Sequence, residues 1–197
     1  MPAYPVPSRQ ATAELREKGS RFLAVVGPAA GEAEAKAALA ALARGHPDAT
    51  HLCWAWRLGQ PPRERSADAG EPAGTAGAPM LQVLRGAGLS DVLAVVARWF
   101  GGVKLGKGGL ARAYAAAVRA ALEVLPVEQR LSRVALALSA PLARVGAIKR
   151  LIRPPGIELE SETYGAEATL VLLVEEDRRD ELVRKLANLR VGLPKQE

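Results

Sequence analysis

Cysteine is all but missing from this chain of 197 residues. The single thiol, Cys53, excludes an intramolecular disulfide framework and fits a reducing compartment. Aromatic side chains make up only 4% of the sequence, so a core must be built mainly from Ala, Val and Leu. Histidine occurs only at positions 46 and 51, and His51-x-Cys53 offers two ligands where a zinc site needs more. No metal and no cofactor is expected. No stretch reaches about 18 uninterrupted apolar residues, the length that reads as a membrane span. The opening "MPAYPVPSRQATAEL" has neither a basic n-region nor an apolar h-region, so no secretory signal is expected. These absences leave a cytoplasmic protein as the expectation.

Positive charge is in surplus. The chain has 27 Lys and Arg against 21 Asp and Glu, a net +6, with a pI near 9.8. The surplus is uneven. Residues 1–125 carry 15 cations against 10 anions, a net +5, and residues 126–197 carry 12 against 11, a net +1. A basic first segment permits contact with nucleic acid without establishing it.

Apolar periodicity predicts α+β organisation. "SRFLAVVGPA" (20–29) reads as a strand ended by Gly27-Pro28, and "GEAEAKAALAALARG" (31–45) as a helix with early acids. In "ATHLCWAWRLG" (49–59) the alternation predicts a half-buried strand with its tryptophans on one face. Residues 60–79 read as loop with room for a short strand, 78–88 as a helix, 90–100 as a buried strand and 109–125 as a long helix. "PVEQRLSR" (126–133) marks a seam, which places domains at 1–127 and 128–197. After it, strand, helix, two strands and helix follow, the order of a ferredoxin-like split βαβ module.

The stretch "VVARWFGGVKLGKGGLARAYAAAV" (95–118) has the setting of a phosphate loop, because Gly101-x-x-x-x-Gly106-Lys107 follows a strand and opens a helix. Position 108 is glycine, however, and lacks the hydroxyl that holds magnesium in a nucleotide-binding loop. Glycines 101, 102, 106, 108 and 109 then serve backbone geometry, either as a tight structural turn or as an amide nest for an anion. Arg98, Lys104, Lys107 and Arg112, with Gly101, Gly102, Gly106 and Gly108, are the candidate anion- or nucleic-acid-binding residues. A second glycine stretch, "GEPAGTAGAP" (70–79), adds Glu71, Gly74, Thr75 and Gly77, with Glu71 read as a hydrogen-bonding strut rather than a base. No residue is read as catalytic. Trp54, Trp56, Trp99 and Phe100 are read as core anchors in so aromatic-poor a chain, with base stacking as the alternative.

The combination G-E-P-x-G-T-A-G, followed by R-W-F-G-G-V-K-L-G-K-G-G-L, resembles the YigZ/IMPACT family from about Lys18 to Leu125. Lys104 falls on the family's lysine, whereas the Lys107 position varies. The resemblance implies an N-terminal βα sandwich like a ribosomal-protein domain and domain IV of elongation factor G, with a ferredoxin-like C-terminal domain. It implies a role in translation too, since the eukaryotic relative restrains a stress-response translation kinase by competing for its activator. One departure stands out: ahead of G-T-A-G, Ala67, Ala69 and Ala73 replace family residues. The expected function is a non-enzymatic accessory or regulator of translation that binds RNA or the ribosome. A protein–protein interaction module is the alternative, and an enzyme or binder for a small phosphorylated or nucleotide ligand a second one.

Overall fold

The computed structural model describes residues 3–189. The chain divides into two compact units, Tyr4–Arg130 and a smaller one built chiefly from Leu131 onward. The architecture is two-domain α+β.

In the first unit five strands form one antiparallel sheet. They are β2 (Ala11–Glu17), β3 (Ser20–Pro28), β6 (Val92–Trp99), β4 (His51–Leu58) and β5 (Arg63–Ala67), in that spatial order. A short pair, β1 (Ala3–Pro7) with β7 (Val127–Leu131), lies apart from it. The helices are α1 (Glu32–Gly45), α2 (Gly77–Gly86) and α3 (Gly106–Glu123). An antiparallel sheet is not the parallel scaffold of a nucleotide-cleaving loop, which removes that reading at the level of fold.

β6 is buried from Val92 through Arg98. Its Val92, Ala94 and Val96 join Met80, Leu84, Tyr114 and Val118 in the larger core, while Leu93 and Val95 join Ala35, Trp56 and Leu58 on the α1 side. A strand covered on both faces reads as a continuous apolar run, as this one does. The same geometry corrects the half-buried reading of β4. Its Cys53 and Ala55 are fully buried among the side chains of α2 and α3, and Trp56 and Leu58 are buried under α1. The strands β1 and β2, absent from the sequence reading, extend the fold at its start, and Ala11 of β2 is buried in the larger core. The long helix also begins three residues earlier than the spacing predicts, within the glycines themselves.

The second unit runs β8 (Arg133–Ala140), α4 (Leu142–Leu151), β9 (Ile157–Tyr164), β10 (Ala168–Glu175) and α5 (Arg179–Asn188). β10 lies between β8 and β9 and is antiparallel to both, so β8 and β9 are parallel strands joined through α4, the expected split βαβ. Leu138, Ile148, Leu170, Leu172, Val174 and Leu186 form its core.

Candidate functional site

Asp68 organises the second glycine loop. One of its carboxylate oxygens accepts the amides of Ala76 and Gly77, and the other accepts the amide of Gly74, each at 2.8 Å. The carboxylate thus compensates the amide end of α2, where no other acid stands in the first turn. Burial alone would raise the pKa of Asp68, but the three backbone amides outweigh it and hold the group below the usual carboxylate range. Gly77 is required here for close approach: a Cβ on it would lie 2.9 Å from the Ala67 nitrogen of β5. Thr75 donates to the Pro72 carbonyl at 2.6 Å and is buried, so it serves the turn rather than a ligand.

Glu71 leaves this loop inward. Its side chain is 2% exposed, and Oε1 accepts from Arg98 Nη1 at 2.5 Å and from the Tyr114 hydroxyl at 2.8 Å, with His51 Nε2 at 3.9 Å. Glu71 is the strut the sequence reading makes of it. Arg98 goes on to Ser20 Oγ at 3.3 Å, and that oxygen also accepts the Gly101 amide at 3.2 Å. A buried chain of polar contacts therefore links the second glycine loop to the first. Ser20 and Tyr114 are the members the sequence reading lacks, because they lie 78 residues from Arg98 and 43 from Glu71.

Arg98 does not join the cations of the first loop. It is 5% exposed and neutralised by Glu71, so no anion outside the protein reaches it. The signal was its parity: Arg98 shares the two-residue phase of Val92, Ala94 and Val96, all of them core residues.

The first loop is fixed by backbone contact. A Cβ on Gly101 would lie 1.9 Å from the carbonyl carbon of Gly19, so the tight β2–β3 turn and the loop touch main chain to main chain. Gly102 and Gly106 hold positive φ, whereas Gly108 lies inside the first turn of α3 with room for a side chain. Three further candidates lie in or just after this loop. Lys104, Lys107 and Arg112 are exposed, and among the described residues none pairs with a carboxylate. The first turn of α3 contains no acid and its amides have no side-chain cap.

Among the described residues there is no cluster of three or more His, Cys, Asp or Glu able to hold a metal. Burial pushes the Cys53 thiol up to about 12, with the charges of Glu71 and Asp68 adding to it. The native thiol is therefore expected to resist iodoacetamide at neutral pH and to react fully once the chain is unfolded in urea. Rapid alkylation of the folded protein would contradict that placement. The aromatic reading needs partial correction as well. Trp56 is a core anchor at 6% exposure, but Phe100 is 48% exposed, because the chain turns off the sheet as β6 ends at Trp99.

Comparison with known proteins follows the same division. The model of the Impact N-terminal domain matches residues 18–122, and that of a domain of unknown function, DUF1949, matches residues 138–190. An IMPACT family member of Thermus thermophilus is 45% identical over 145 residues, covering 74% of this chain and 78% of its own. The family member YigZ of Escherichia coli is 33% identical over 195 residues, covering 98% and 96%. The crystal structure of a hypothetical protein superposes with a TM-score of 0.85 at 32% identity, over 100% of this chain and 98% of that one. No helix among the described residues is long and apolar enough to cross a membrane.

Proposed function

The chain belongs to the IMPACT family, and from that premise we propose that it is a non-enzymatic accessory or regulator of translation. It binds RNA, free or in the ribosome, through the glycine–lysine end of α3. The observation that carries this reading is an electrostatic mismatch. α1 begins with Glu32 and Glu34, and Asp68 compensates α2, but α3 begins with Lys107 and no acid. Cations at the positive end of a helix are unfavourable by about 0.3–1 kcal/mol each. An anion between Lys104, Lys107 and the free amides turns that repulsion into attraction, and a phosphate fits that place.

Lys104→Glu with Lys107→Glu is expected to weaken binding to a labelled single-stranded RNA by about ten-fold or more at low salt. The melting temperature should hold or rise slightly, since acids suit a helix start. Unchanged RNA affinity in a folded double variant would overturn the assignment of the surface.

A further inference from the structure

Resting on that reading, we infer that the RNA is engaged as unpaired nucleotides, with one base stacked on the open face of Phe100 beside the phosphate-holding lysines. The ring is 48% exposed, although a large apolar side chain gains by burial and a polar one would suit a loop exit equally well. It is not a loose side chain. The Phe100 amide donates to Thr50 Oγ1 at 3.1 Å, and the buried guanidinium of Arg98 lies 5.6 Å from the ring centroid. Arg98 is itself clamped by Glu71, so the ring stands on a rigid cationic base and is half open to solvent. Val103, three positions on from Phe100, is 52% exposed as well, Lys104 follows it directly in the chain, and Lys107 lies three positions beyond Lys104.

The neighbouring tryptophan cannot serve the same purpose. Arg21 lies over the Trp99 ring at 4.4 Å, His46 meets it edge-on at 5.6 Å, and its Nε1 donates to Asp48 at 2.8 Å. Trp99 is thus occupied on a face, at an edge and at its only donor, which leaves Phe100 as the free platform. Lys104 lies four positions after Phe100, a span of at most about 14 Å for extended chain. A base and the phosphates of its own and the next nucleotide fit within that reach. An aromatic face flanked by unpaired cations is the combination that holds single strands, since every base has a π-face and every linkage a charge. A duplex hides its base faces and would engage the lysines alone.

The test compares an oligouridine with an RNA duplex of equal length, for the wild-type chain and for Phe100→Ala, Phe100→Leu and Phe100→Trp. Phe100 is half exposed, so these variants are expected to melt near the wild type. Oligouridine should bind about ten-fold more weakly to Phe100→Ala and Phe100→Leu, the order expected for one lost stack, and undiminished to Phe100→Trp. Duplex binding should be the same for all four proteins. Equal loss on duplex and single strand, or no loss in Phe100→Leu, would overturn the stacking site and point to a protein-docking patch. If the Phe100 variants bind normally while the Lys104 and Lys107 variant does not, stacking fails and the phosphate surface stands. Absence of RNA binding to the wild type would remove both.

Discussion

Glu71→Ala is expected to destabilise the first unit by about 3–5 kcal/mol, the cost of stranding a buried charge. Glu71 is 2% exposed in its side chain and is, among the described residues, the sole carboxylate on Arg98, which is itself 5% exposed. Removing the acid leaves a guanidinium charged, buried and unpaired, with one nitrogen, Nε, already lacking a partner. It also deprives the Tyr114 hydroxyl of its acceptor. A loss of that size is a large share of a typical domain's stability. Glu71→Gln keeps an oxygen for both donors but drops the charge, so it should lose less. Replacing both partners by apolar residues, Glu71→Leu with Arg98→Met, should be milder than Glu71→Ala, because no charge remains stranded. Urea unfolding followed by tryptophan fluorescence reads this directly, since Trp54, Trp56 and Trp99 all lie in the first unit. Additive losses in the double variant would mean that the pair is not coupled as its geometry requires.

Gly101→Ala is expected to be nearly as damaging, by about 3 kcal/mol, for a reason unconnected with charge. The added methyl would lie 1.9 Å from the Gly19 carbon, 2.1 Å from its oxygen and 2.3 Å from the Ser20 nitrogen. All three are backbone atoms, so no side chain can swing aside. Either the β2–β3 turn or the loop must move, and the Gly101 amide then loses Ser20 Oγ. The displaced loop should also bind RNA more weakly, because it carries Lys104. Gly108→Ala is the control. Its methyl would meet only Arg112 Nη1 at 3.4 Å within a helical turn, so stability should rise by about 0.4–1 kcal/mol. A Gly101→Ala protein as stable as wild type would show that the two main chains are not in contact.

The glycines have structural reasons of their own: Gly101 in the first loop and Gly77 in the second permit backbone contact, and Gly102 and Gly106 hold positive φ. Local spacing made several elements legible. The apolar run of β6, the acid-led α1 and the strand–helix–strand–strand–helix order of the second unit each follow from residues close in sequence. The polar chain Glu71–Arg98–Ser20–Gly101 does not, because its members come from β3, β6 and two loops whose meeting is set by sheet order. Arg98 is the instructive case. Its place beside the glycines makes it look like a surface cation, while its phase within β6 aims it at the core. β2 was legible too, in the alternation of Ala11, Ala13 and Leu15 with Thr12, Glu14 and Arg16, although composition alone gives it no prominence. Phe100 escapes any such rule, because its exposure depends on where the strand ends.

The salt dependence of oligouridine binding tests the central claim most directly. If Lys104, Lys107 and Arg112 each neutralise a phosphate, the logarithm of the affinity should fall linearly with the logarithm of salt concentration. Three contacts to a single strand give a slope of about −2, and the Lys104→Glu, Lys107→Glu variant should bring it to about −0.7 or flatter. A wild-type affinity that ignores salt, or a slope the double variant leaves unchanged, would contradict the account.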